Sequence, residues 1–121
     1  MKKPGPDHPI TIAPNPNRIR VLLGGVIVAE TTRALTLREA SLPAVQYIPR
    51  EDVALDLLDR SSRTTHCPYK GDASYWDATA GGLRVRDVVW GYEKPFDAVK
   101  QIAGHLAFYP NKVDAIEELR E

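Results

Sequence analysis

The stretch Thr64–Trp76, TTHCPYKGDASYW, gathers a cysteine, a histidine, a lysine and two tyrosines into thirteen positions. Cys67 is the only cysteine of the chain. Lys70, three residues on, would favour the thiolate by its charge and so activate a nucleophile. His66 is adjacent, but neighbouring side chains on a strand point to opposite faces. A nucleophile–base pair would therefore use His105 rather than His66. The plain alternative is a small buried apolar residue beside a proline turn, the usual fate of a free cysteine. The CPYKG run is also a candidate anion site. Pro68 pre-sets a turn, Gly71 accepts a left-handed conformation, and the amides between them would form a nest beside Lys70. Its plain counterpart is a tight turn carrying a solvated lysine.

A second set of residues is aromatic and polar: Tyr47, Arg50, Tyr69, Tyr75, Trp76, Trp90, Tyr92, Phe108 and Tyr109. Tyrosine and tryptophan are ordinary strand residues. Arg50, Lys70 and Glu39, however, are charges set in apolar context. An aromatic-walled pocket with a few convergent charges is the usual form of a small-ligand site. In such a pocket Lys70 and Arg50 would hold a phosphate or carboxylate. Glu39, Cys67 and His105 are the candidates for proton handling and nucleophilic attack. Tyr47, Tyr75, Trp90, Tyr92 and Tyr109 would wall the pocket and stack on a base.

Other chemistries find less footing. The chain has three histidines, His8, His66 and His105, with no pair at ligand spacing and no Cys-x-x-Cys, so no metal site is expected. Gly24-Gly25 and Gly81-Gly82 belong to neither a phosphate-binding P-loop nor a dinucleotide fingerprint, and no cofactor motif is legible. Lys plus Arg and Asp plus Glu both total 16. That balance argues against nucleic-acid and anionic-membrane partners. No apolar run reaches the roughly 18 residues of a membrane span. The N-terminal MKKPGPDHPI has no apolar core behind its lysines and does not resemble a secretory signal. With a lone cysteine, these features predict a cytoplasmic protein.

The 121 residues, 43% of them apolar, suit one domain with a real core. Residues 1–9 read as an extended arm. RIRVLLGGVIVAET predicts a hairpin turning at Gly24-Gly25. Pairing Leu23 with Val26 sets Val21 opposite Val28 and Ile19 opposite Glu30. One face then carries Ile19, Val21, Leu23, Val26 and Val28, ending in Glu30. ALTLREA alternates, so Leu35, Leu37 and Glu39 share a face. SLPAVQYIPRED is extended and irregular around its prolines. A short turn at Arg50–Asp52 leads into a strand through Val53, Leu55 and Leu57, and residues 59–65 form a polar loop. ASYWDATAGGLRVRDVVWGY predicts a second hairpin at Gly81-Gly82, its register open between a two- and a three-residue loop. Trp90 and Tyr92 fall on one strand face. EKPFDAVKQIAGH predicts a helix: Pro95 suits its first position and Phe96, Val99, Ile102, Ala103 and Leu106 recur at helical spacing. LAFY is a short strand, Pro110-Asn111 a turn, and residues 113–121 a polar tail or short helix. The fold class is mainly β (α+β), with curled antiparallel sheets built from hairpins and one C-terminal helix packed on the sheet.

RVLLGGVIVAET, YIPRED, THCPYKGDASYW, VVWGYEKP and IAGHLAFY together resemble the domain-of-unknown-function 427 family, from about His8 to Val113. That family is small, bacterial or fungal, and carries a nucleotidyltransferase-type label. The resemblance implies a compact β-rich domain in which the CPYKG turn and the GHLAFY segment come together. It also suggests nucleotide or phosphoester substrates. The chain lacks the G-S-x-D type of metal carboxylate pair that a polymerase-like transferase uses.

Three readings follow. The first is a binding protein, or a transferase, for a small anionic ligand such as a nucleotide. The second is a protein-interaction module that homodimerises through hairpin edges. The third is a thiol-dependent activity at Cys67.

Overall fold

A computed structural model describes residues 1–120. Ten strands, with short 3-10 turns after β5, β8 and β9, make up the described residues: β1 Ile10–Asn15, β2 Arg18–Leu23, β3 Val26–Thr31, β4 Ala34–Glu39, β5 Val45–Pro49, β6 Leu58–Cys67, β7 Gly71–Ala80, β8 Leu83–Gly91, β9 His105–Phe108 and β10 Ala115–Leu119. Seven form one sheet in the order β1-β4-β5-β9-β8-β7-β6, and three form a second in the order β10-β2-β3. All the paired strands run antiparallel.

Both predicted hairpins form. Their turns use two glycines each, all at positive φ: 58° and 76° at Gly24-Gly25, 56° and 80° at Gly81-Gly82. That is the conformation a two-residue hairpin needs to match the twist of its strands. The tips also touch. A Cβ on Gly81 would lie 1.9 Å from the Gly24 carbonyl oxygen, so only glycine fits at this crossing. In the first hairpin Leu23 does pair with Val26, but a bulge at Val21/Leu22 shifts the rest. Val21 then faces Ala29 and Ile19 faces Thr31, rather than Val28 and Glu30. The extra residue exchanges faces. Val26 is exposed, Ala29 and Thr31 are buried, and Glu30 accepts hydrogen bonds from Arg20. In the second hairpin Ala80 pairs with Leu83, which settles the two-residue loop. A further bulge lies at Trp76/Ala78, opposite Asp87, whose φ is 52°.

Four other elements differ from the sequence reading. Residues 55–57 form a 3-10 turn rather than a strand, and residues 59–65 belong to β6 rather than to a loop. β6 is an edge strand, so its polar side chains face water while its backbone pairs with β7. The C-terminal helix is absent. Asp97–Ile102 is a 3-10 segment broken at Val99 (φ −127°, ψ 26°), and Gly104 at φ 73° ends it. Val99 and Ile102, three apart, lie on one side of a three-residue turn and are both fully buried. Leu106, counted in the helical pattern, belongs to β9. The polar tail is strand β10, hydrogen-bonded to β2.

The two sheets enclose a core of Ile19, Val21, Val28, Ile48, Trp76, Val89 and Phe108, among others. A second cluster lies on the opposite face of the large sheet and contains Leu37, Tyr47, Tyr75, Tyr92 and Ala107. Strand alternation produces both. Tyr75 and Trp76 are neighbours in β7 yet belong to different clusters.

Candidate functional site

The second cluster opens into a cleft of about 240 Å³. Leu37 and Glu39 of β4 reach it together, as the alternation of ALTLRE requires. β5 contributes Val45 and Tyr47, β7 Tyr75, and β8 Trp90, with Tyr92 and Tyr109 just past the ends of β8 and β9. The β4–β5 loop adds Leu42 and Pro43 at the mouth. The CPYKG turn delivers Lys70 from the other side.

Glu39 and Lys70 form an ion pair, and each side chain is only 10% exposed. A buried charge persists only when it is partnered and hydrogen-bonded. Here the partners are complete: His8 Nε2 lies 2.7 Å from the second carboxylate oxygen. Burial by itself would raise the Glu39 carboxyl pKa, but the hydrogen bonds and charges of Lys70 and His8 outweigh it and hold it below its ordinary value. Glu39 is therefore a carboxylate at neutral pH. Lys70 is not the solvated turn lysine of the plain reading, nor is it a free cation. Its ammonium lies 5.9 Å from the centroid of the Tyr92 ring.

The N-terminal arm holds this arrangement from outside. His8 stacks on Tyr69 at 3.9 Å, and the Lys2 amide donates to the Pro68 carbonyl at 2.7 Å. Gly71, at φ 112°, reverses the chain after Lys70. The Lys70 carbonyl accepts from the Phe96 amide, so the turn is pinned on both sides.

The aromatic walls are ordered by mutual contact. Trp90 packs on Tyr109 at 4.4 Å and meets Tyr47 edge-on at 6.3 Å, its indole N–H donating to the Tyr47 hydroxyl at 3.3 Å. Tyr75 and Tyr109 stack in parallel at 6.5 Å. The Tyr75 hydroxyl shares a hydrogen bond with Thr65. Burial raises the pKa of Tyr47 and Tyr92, and raises that of Tyr109 to about 12, with Tyr75 adding to the last. All three are neutral hydroxyls that donate and accept hydrogen bonds.

Seven residues named from sequence thus line one cleft: Glu39, Tyr47, Lys70, Tyr75, Trp90, Tyr92 and Tyr109. Three lie elsewhere. Cys67 is half-buried at the end of β6, paired with Gly71 and packed against the aromatic cluster without lining the cleft. His105 pairs with Pro49, and its Nδ1 lies 3.0 Å from the Ala103 carbonyl. Arg50 is exposed just beyond β5, its amide donating to Gly104. His105 and Arg50 are near one another, at a corner that the cleft lining does not include. Of the CPYKG and GHLAFY segments, Lys70 and Tyr109 share the cleft and His105 does not.

Three participants were not legible in the sequence. His8 lies in a proline-rich arm 31 positions before Glu39, with no local signal of its bond. Arg63 places its guanidinium 4.9 Å from the Tyr75 ring centroid, and Lys112 its ammonium 5.3 Å from that of Tyr109. Among the described residues the Arg63 side chain makes no ion pair or hydrogen bond, and Lys112 meets only the carbonyls of Arg86 and Asp87. The cleft's aromatic rim therefore carries two cations without carboxylate partners. Among the described residues, no three His, Cys, Asp or Glu side chains group to hold a metal ion. No helix is long and apolar enough to cross a membrane.

No curated protein matches the chain. A family model does match, over residues 11–119, and by that match the chain belongs to the DUF427 family, a domain of unknown function labelled as an NTP-transferase type.

Proposed function

We propose that the cleft between Glu39–Lys70 and Trp90–Tyr109 binds a small ligand made of a planar ring and an anionic group. The observation that carries this reading is the convergence of a buried ion pair and five aromatic side chains on one hollow. At about 240 Å³ the cleft falls just below the roughly 300–1,000 Å³ of drug-sized sites. A base-sized ring fits that volume; a nucleoside triphosphate does not fit within it. The ring would enter between Tyr47, Trp90 and Tyr92, where tyrosine hydroxyls and the Glu39 carboxylate offer hydrogen bonds. The phosphate or carboxylate would remain at the rim, facing Arg63 and Lys112. Lys70 is committed to Glu39, so it orients the carboxylate rather than capturing the anion.

The lowered Glu39 pKa supports binding over acid catalysis, since a carboxyl held ionised donates no proton. The half-buried setting of Cys67 likewise gives the thiol reading less support than the cleft gives ligand binding. A transferase reaction would add a second substrate to this site, with Glu39 as the hydrogen-bond acceptor that aligns it.

The test is thermal denaturation of the intact chain with nucleosides, mononucleotides, sugar phosphates and short organic acids. A ligand at about 100 times its Kd adds about 2.7 kcal/mol of stability. The expected result is a rise in Tm with at least one ring-bearing anion, reduced in Arg63→Ala/Lys112→Ala. No rise with any member of the panel, or an equal rise in the double variant, contradicts the proposal.

A further inference from the structure

His8 belongs to the N-terminal arm, yet its ring is bound as a ligand would be. It lies on the Tyr69 ring, with centroids 3.9 Å apart and planes 10° from parallel. Its Nε2 is 2.7 Å from Glu39 Oε2. An ionised carboxylate only accepts hydrogen bonds, so this nitrogen carries the hydrogen. A flat ring held on its face by a tyrosine and at its edge by a carboxylate is the way a heterocycle with an N–H donor is recognised. Neither Tyr69 nor His8 lines the aromatic cleft, whereas Glu39 does. One carboxylate oxygen bonds Lys70 and the other His8, so Glu39 is a wall shared by the cleft and this second position.

The arm that carries His8 is held lightly. None of residues 1–9 is buried, and neither apolar cluster includes any of them. Pro4, Pro6 and Pro9 have no amide to donate. Among the described residues, two backbone bonds tie the arm to the body: the Lys2 amide to the Pro68 carbonyl at 2.7 Å, and the Ala40 amide to the Pro9 carbonyl at 2.8 Å. The Gly5 and His8 amides bond within the arm, each to the other's carbonyl. A segment with so little buried surface opens without unfolding the sheets. Its hinge is close by, because Ile10 pairs with Glu39 between β1 and β4. That short tether gives His8 a high effective concentration, which a free ring must overcome.

We infer that Tyr69 and Glu39 form a ring-binding subsite, that His8 is its tethered occupant, and that lifting the arm admits a ligand ring with an N–H donor. The arm is then an autoinhibitory strap. A hydrocarbon ring would satisfy the stack but leave Glu39 Oε2 without its bond, which burial makes costly. A ring presenting only an acceptor at that edge would meet the carboxylate charge.

The experiment is chemical rescue of the intact chain. His8→Ala empties the subsite, and thermal denaturation is followed with imidazole and with thiazole, a ring of like size without an N–H. Imidazole at about ten times its Kd is expected to raise the Tm of His8→Ala by about 5 °C. Wild type, whose subsite is filled, is expected to need at least about tenfold more imidazole for the same rise. Thiazole is expected to raise neither, and imidazole is expected to leave His8→Ala/Tyr69→Ala unchanged. Hydrogen exchange in wild type reads the lifting of the arm: the His8 and Ala40 amides are expected to exchange at least about a hundredfold faster than those paired between β7 and β8. The inference is overturned if imidazole does not raise the Tm of His8→Ala or raises that of wild type equally. It is overturned as well if thiazole or the double variant gives the same rise, or if the arm amides exchange as slowly as the β7–β8 ladder. The outcome does not depend on the ligand of the aromatic cleft, whose test uses different probes and residues.

Discussion

Two corners of this molecule look alike on paper. One pairs a cation with a titratable group, Lys70 with Glu39; the other places Arg50 near His105. In the first the groups are buried, mutually bonded, and enclosed by aromatic rings. In the second Arg50 is solvated, and the imidazole contacts a backbone carbonyl two residues away. The difference shows what turns charged residues into a site. Strand alternation carries Glu39 inward with Leu37, whereas Arg50 comes after β5 has ended, in a 3-10 turn with no buried residue. Burial then makes partnership obligatory in one place and irrelevant in the other.

Substitutions should separate the two corners sharply. The largest effect is expected from Lys70→Ala, which leaves the Glu39 carboxylate buried without its main partner. Breaking a buried pair in this way costs about 3–5 kcal/mol, measurable by urea denaturation. The double variant Glu39→Leu/Lys70→Met should recover most of that loss, because well-packed apolar replacements of a buried pair are often neutral or stabilising. If the double variant is as unstable as Lys70→Ala, the cost lies in side-chain packing and not in the orphaned charge. His8→Ala comes next. It removes one hydrogen bond to a charged group, worth about 1.5–3 kcal/mol.

Acid should act on the first corner alone. The native Glu39 pKa is depressed, so its contribution is complete above its unfolded value near 4.5 and fades as pH falls through the lower native value. Glu118 is depressed as well, through its bonds to Asn17 and Asn15. The informative quantity is therefore the difference between wild type and Glu39→Gln. That difference should shrink below about pH 4.5 and stay constant from pH 5 to 8. A difference that does not change with pH would mean that the Glu39 charge adds nothing to stability. Smallest of all, Arg50→Ala and His105→Ala should each change stability by less than about 0.5 kcal/mol, and neither should alter ligand-induced Tm shifts.

The contrast also explains what the sequence could disclose. Glu39 was legible because a period of two needs only local pattern, and ALTLRE keeps it without a bulge. The Gly-Gly hairpins were legible because positive φ at two successive positions leaves few residue choices. The wrong partners for Ile19 and Val21 came from the bulge at Val21/Leu22, which leaves no mark in an unbroken apolar run. The lost helix has a similar origin. Spacings of three satisfy a 3-10 turn as well as an α-helix, and Val99 and Ile102 do not distinguish them. Arg63 was hidden because the register of β6 against β7 breaks between Arg60 and Thr64. That irregularity decides which exposed side chain reaches Tyr75. His8 was hidden because its bond to Glu39 closes a long loop, and no sequence period encodes such a contact.

Chemical-shift mapping with the ring-bearing anion that most raises Tm tests the aromatic cleft most directly. The account expects the perturbed amides to be those of Leu37, Glu39, Tyr47, Lys70, Tyr92 and Tyr109, with Arg50 and His105 unmoved. Shifts centred on Arg50 and His105, with the Glu39–Lys70 surroundings silent, would contradict it.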